Sequence, residues 1–163
     1  MADPDSRAAE RLFRAFRSGF RWEGVLHMPY KEEGSAPFKA ISRQVLFEDP
    51  KQACQLRYFE MDADGYSTLE RHEHVHAVMI LRGHGHCLLG SAVREVNPFD
   101  LITIPAWTLH QFRATRGEPM GFLCMVNNDR DKPQMPDRDE IEALKKDATV
   151  AAFLNGKPTV TSD

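Results

Sequence analysis

The sequence predicts an all-β domain, an antiparallel sandwich or barrel, and three observations lead there. Between residues 22 and 126 short apolar or alternating runs recur, each closed by Gly, Pro, Asp or Asn. No helical period separates these runs, which excludes a parallel sheet built from crossover units. At 163 residues, with 42% hydrophobic and 28% charged residues, the chain has the size and composition of one globular domain with a real core.

Taken in order, residues 1–21 read as an N-terminal helical segment. Within it, residues 6–17 place Leu12, Phe13 and Phe16 as a short apolar stripe among arginines, and Gly19 would end the helix. The barrel is expected over residues 22–130. Its strands fall near 38–47, 53–61, 74–82, 85–89, 92–96, 101–104, 109–114 and 120–126. Asp49-Pro50, Asp62 to Gly65, Gly83, Gly90, Asn97-Pro98, Arg116-Gly117 and Asn127-Asn128 supply the turns. A C-terminal helical tail occupies 131–163. Acidic residues from Asp137 open its helix, Ile141 and Leu144 follow, and a further turn over 148–154 stops at Asn155-Gly156.

The overall charge narrows the function classes. A formal charge of -3 gives nucleic acid no general electrostatic reason to bind. No apolar run approaches the ~18 residues that span a bilayer, and no signal-type apolar stretch follows the N-terminus, so a soluble, cytoplasmic chain without membrane contact is expected. Cys54, Cys87 and Cys124 are odd in number and lack zinc-type spacing, which favours reduced thiols.

Histidine carries the chemistry. Five of the seven histidines (His72, His74, His76, His84 and His86) lie within fifteen residues. In an extended chain alternate side chains share a face about 6.8 Å apart, so Glu70, His72, His74 and His76 would all point one way. The apolar run 77–81 follows at once, taking this strand into a core. Buried there, three imidazoles and a carboxylate need a partner, and a divalent metal ion is the one they suit. His110, beyond Pro105, opens another strand and could join them.

At this point the chain resembles the cupin superfamily. The family's first motif is Gly-x5-His-x-His-x3-Glu-x6-Gly. With its closing glycine on Gly83, Asp64 takes the opening glycine, Glu70 and His72 the two histidines, and His76 the glutamate. The second is Gly-x5-Pro-x-Gly-x2-His-x3-Asn. With its proline on Pro105, Phe99 and Trp107 take the glycines, His110 the histidine and Ala114 the asparagine. Every interval fits, although a carboxylate and an imidazole have exchanged places. The resemblance, over about residues 38–126, implies a jelly-roll β-barrel with short N- and C-terminal helices. It also implies one transition metal ion per chain on Glu70, His72, His76 and His110, and a homodimer of paired barrels. Iron, manganese, nickel or copper would suit the site, with zinc also possible.

His74 would line the pocket, replace Glu70 as ligand or support a ligand; in a proton-transfer reaction His74 or Tyr58 would be the acid or base. Parity along the second strand groups Gln55 with Arg57, and family resemblance turns Arg57 into the cavity to clamp a carboxylate or enolate. Phe112 would supply an apolar wall, Cys124 would approach the pocket, and Trp107 would border its mouth. His84 and His86 are expected on the outer face, and His27 receives no role. The activity expected first is a small-molecule oxidoreductase of dioxygenase type. A metal-dependent isomerase or lyase, or a non-catalytic binder of a small ligand or metal, are the alternatives.

Overall fold

The structure, a computed structural model, describes residues 13–157. The described chain forms β1 (Phe16–Arg17), β2 (Arg21–Trp22), β3 (Met28–Pro29), β4 (Lys39–Phe47), β5 (Cys54–Tyr66), β6 (His76–Arg82), β7 (Gly85–Leu89), β8 (Ala92–Val96), β9 (Leu101–Ile104), β10 (His110–Ala114), β11 (Met120–Asn127), α1 (Arg138–Leu144) and α2 (Ala148–Leu154). All pairings are antiparallel. The main sheet runs β8-β7-β10-β5-β11-β6-β9, with β4 on β5 and β3 on β4.

β5 is what curls this sheet into a barrel. Residues 54–61 pair with β11 on one side and β4 on the other, whereas Tyr66 pairs with Arg113 of β10. A strand that changes partners must bend, and a bulge supplies the bend: Asp64 adopts φ +62°, Ala40 opposite it φ +48°, and the β4–β5 register shifts there. The expectation that Asp62 to Gly65 closes the strand is therefore corrected. Those residues kink a strand that continues to Tyr66.

The N-terminal helix also needs correction. Residues 6–12 lie outside the described residues, but Phe16–Arg17 is a strand paired with Arg21–Trp22. Gly19, at φ +71°, makes the turn, and Phe16 packs edge-on to both Phe20 and Trp22. The aromatic stripe thus closes on itself as a hairpin and covers Tyr58, whose ring stacks on Phe20 at 5.6 Å. The eight strands expected over 38–126 are all present, and both C-terminal helices form.

The barrel interior holds Phe59, Met61, Val78, Ile80, Ile102, Ile104, Phe112, Met120 and Phe122. On its outside, Leu88 and Val93 pack against Val150 and Phe153 of α2. At the β6–β7 turn, Gly83 has φ +68°, and a Cβ there would sit 2.0 Å from the Pro119 carbonyl, so only glycine fits. Asp64, Phe99 and Trp107 stand where the resembled motifs have glycine, yet they keep left-handed φ values of +62°, +75° and +61°. The backbone shape has survived the loss of the residue that ordinarily permits it.

Candidate metal centre

His76 opens β6, facing Val126 of β11 and Ile104 of β9. His110 opens β10 and exchanges backbone hydrogen bonds with Glu70 at 2.9 and 3.2 Å. His72 lies between them, and its carbonyl accepts the Trp107 N–H at 2.7 Å. These three histidines, drawn from two separated stretches, bring ring nitrogens within 4.8 Å of one another.

The segment carrying His72 and His74 is not the extended strand that alternation predicts. β6 begins only at His76, and the chain bends at Glu73 and His74. The cause is Asp131: its carboxylate accepts the Glu73 N–H at 2.8 Å and the His74 N–H at 3.1 Å, taking those donors from any ladder. The bend stacks the His72 and His74 rings at 3.6 Å, nearly parallel. Asp131 also accepts from His74 Nδ1 at 2.6 Å, and these bonds hold its carboxyl well below the usual range. His74 therefore lines the cavity, tied to Asp131 by Nδ1. His72, His74 and Asp131 also form a second group of potential ligands that shares His72 with the first.

The donors fit a metal ion. His72 Nδ1 is 2.7 Å from the His74 carbonyl and His110 Nδ1 is 2.9 Å from the Thr108 carbonyl. His76 Nδ1 lies 3.5 Å from Cys124 Sγ. With each Nδ1–H donating outward, the lone pair is left on Nε2, the tautomer an imidazole ligand requires. His72 Nε2 and His76 Nε2 are buried without a partner. Burial, reinforced by the neighbouring imidazoles, lowers His76 to about 2 and His110 to about 4, and burial lowers His72 as well. All three are neutral and ready to bind a cation, as a mixed imidazole site for iron, manganese, nickel, copper or zinc demands.

Glu70, expected as the fourth ligand, lines the same cavity but belongs to neither group. Its carboxylate pairs with Lys31, and the Tyr30 hydroxyl lies 3.5 Å away. Lys31 comes from the irregular stretch between β3 and β4, where no periodicity could place it.

The other expected residues divide. Arg57 and Cys124, cross-strand partners, both line the cavity. Gln55 does not; it is buried beside it, accepting from Arg57 Nε while its amide donates to Glu48 and Asn128 at 3.2 Å. Tyr58 points to the opposite face of β5, where its hydroxyl donates to Glu60. Burial pushes that phenol up to about 12, and no proton-transfer role at the histidines is open to it. Phe112 stacks on Phe122 at 4.8 Å inside the core, away from the cavity lining. Trp107 is half-exposed, its backbone tied to His72. His84 pairs with Glu118 at 3.1 Å on the surface, and His27 lies 3.1 Å from Arg21. His86 lines a wider cleft of about 480 Å³ with Tyr66, Arg113 and Phe153, where among the described residues no metal-type cluster occurs.

The histidine cavity, about 140 Å³, also contains Arg43, Arg130 and Asp131, which sequence reasoning missed. Arg43 could have been found from register, because it faces Phe59 across β4–β5, two residues from Arg57. Arg130 and Asp131 lie in irregular chain after β11 and carry no such signal.

A family model described as "Cupin domain" matches residues 57–126. The chain is 56% identical over 147 residues to a Rhodospirillum rubrum protein named 1-methylthio-D-xylulose 5-phosphate methylsulfurylase, covering 90% of this chain and 94% of that one. Among solved structures, a cupin 2 conserved barrel domain protein from Rhodopseudomonas palustris superposes with a TM-score of 0.81 at 56% identity, covering 86% of this chain and 97% of that one. A cupin-2 domain from Rhodospirillum rubrum gives 0.80 at 55%, covering 89% and 97%. Among the described residues no helix is long and apolar enough to cross a membrane.

Proposed function

The chain belongs to the cupin superfamily, and from that premise we propose that it is a metal-dependent enzyme that removes the methylthio group from a 1-methylthio-ketose 5-phosphate. The observation that carries this reading is the convergence of His72, His76 and His110, each with Nδ1 occupied, beside a cavity that His72 and His76 line together with several cationic side chains. Similarity to the methylsulfurylase supplies the substrate class.

His72, His76 and His110 would hold the ion. When bound, it supplies a Lewis acid for the ketose oxygens. In such a substrate the C1–S bond lies next to the C2 carbonyl. An acceptor thiol forms an S–S bond to the methylthio sulfur as C1–S breaks. The bond's electron pair stays with carbon, and C1 takes up the proton released by the thiol. Carbon is reduced, sulfur is oxidised to a disulfide, and no dioxygen is consumed. Burial pushes the thiol of Cys124 up, against the lowering pull of Arg57. Its place beside His76 suits a positioning role.

The test is an anaerobic assay of protein loaded in turn with manganese, iron, nickel, copper or zinc, given 1-methylthio-D-xylulose 5-phosphate and dithiothreitol. Mass spectrometry should find a 1-deoxy-ketose phosphate together with methanethiol and cyclic oxidised dithiothreitol, into which the mixed methyl disulfide closes. No transfer with any metal would overturn the reading, and oxygen uptake with enolisable substrates would favour the dioxygenase in its place.

A further inference from the structure

Three guanidiniums converge on the metal cavity, from β4 (Arg43), β5 (Arg57) and the segment after β11 (Arg130). Among the described residues none of the three has a carboxylate within ion-pairing distance, whereas Arg17, Arg71 and Arg82 each do. The two acids that line the same cavity are engaged elsewhere. Glu70 is paired with Lys31, and Asp131 holds the Glu73 and His74 backbone N–H groups and the His74 ring. The Glu48 carboxylate accepts from Gln55, on the flank of the site.

The arginines are also held in place. Arg57 Nε donates to buried Gln55, which Asn128 and Glu48 fix in turn, so the terminal nitrogens of Arg57 stay free. Arg130 Nη1 donates to the Asn127 carbonyl at 2.6 Å. Arg43 Nε is buried with no partner at all. Burial, and then the charges of Arg130 and Arg43, lower Arg57 to about 10. Arg43 and Arg57 are part-buried and Arg130 is exposed at the edge, and like charges gathered at such a wall are costly unless an anion completes the set. A tetrahedral dianion with three acceptor oxygens matches several guanidinium forks better than a single carboxylate does.

We propose that Arg43, Arg57 and Arg130 form the subsite for the phosphate monoester of the substrate, fixing the sugar so that its other end reaches the histidines. This rests on the reading of the substrate as a ketose phosphate, and it assigns Arg57 to a phosphate in place of the carboxylate or enolate expected from sequence. Lys31, neutralised by Glu70, takes no part.

The test uses the full-length metal-loaded protein. Inorganic phosphate should raise the melting temperature of the wild type and of an Arg94→Gln control on β8, and should fail to do so for Arg57→Gln and Arg43→Gln. With 1-methylthio-D-xylulose 5-phosphate each of these two substitutions should raise KM about tenfold or more, and Arg57→Lys should recover part of the loss. Preference for the phosphate ester over the free sugar should fall by the same factor. Metal content and melting temperature without phosphate report whether each variant is folded. Transfer activity with KM unchanged in folded variants would overturn the subsite and leave the proposed function standing. Phosphate binding lost in those variants, with no transfer in the wild type, would do the reverse. No phosphate response in the wild type would sink the subsite outright.

Discussion

The two faces of β5 carry similar polar cargo with opposite fates. On one, Tyr58 donates to Glu60, Glu60 pairs with Arg82, and the Arg82 guanidinium lies 4.4 Å from the centre of the Phe20 ring. On the other, Arg57 looks into a cavity where Arg43 Nε, His72 Nε2 and His76 Nε2 have no partner. These are three of the six buried side-chain polar atoms so left among the described residues. A closed network stabilises the fold by satisfying itself. An open one costs stability and is kept where something else completes it. Burial alone does not separate the two faces; the number of unpartnered atoms does, three around the cavity against the single Gln44 Oε1 opposite Tyr58.

Four experiments sharpen or break that contrast. The largest effect is expected on the open face: His76→Ala should lose the bound ion, and activity with it, while Glu70→Gln should retain most of the ion, read by elemental analysis. If Glu70→Gln empties the site as fully as His76→Ala, the pairing with Lys31 is not the carboxylate's working state. On the closed face, Glu60→Gln should lower stability by about 1–3 kcal/mol in denaturant while metal content stays unchanged.

Next comes acidity. In the metal-free protein His110 is lowered from 6.5 to about 4, and His76 further, so the unfolded chain takes up protons that the fold refuses. Stability should be full above pH 6.5 and fall as the pH drops toward 4. A midpoint independent of pH across this window would show the imidazoles to be solvated. The smallest effect concerns strain. Phe99 is 75% exposed at φ +75°, so Phe99→Gly should raise stability by about 0.5–1 kcal/mol, measured by thermal melting.

Most of the barrel was legible because strand period and turn residues are local signals. β7, β8 and β9 begin and end where Gly83, Gly90 and Asn97-Pro98 indicate. His72, His76 and His110 could be grouped because motif spacing encodes which strand ends meet. Legibility failed where long-range partners decide. Asp64 and Gly65 look like a turn in isolation, but β4 lies alongside and makes them a bulge. The stripe at Phe13 and Phe16 has a helical spacing, but Trp22 and Tyr58 offer aromatic partners to a hairpin. The rim of the site was invisible for the same reason, since Lys31, Arg130 and Asp131 arrive from segments without periodicity.

One carboxylate joins the tail to the loop that carries His72. Glu140 closes the capping box of α1 by accepting the Asp137 N–H at 3.0 Å, and it also grips Arg71 through both oxygens at 2.5 and 3.2 Å. Arg71 precedes His72 and exchanges backbone hydrogen bonds with Gln134. The opening turn of that helix is therefore tied to the stretch presenting His72, so the order of the tail and the order of the histidine loop are mechanically linked outside the barrel.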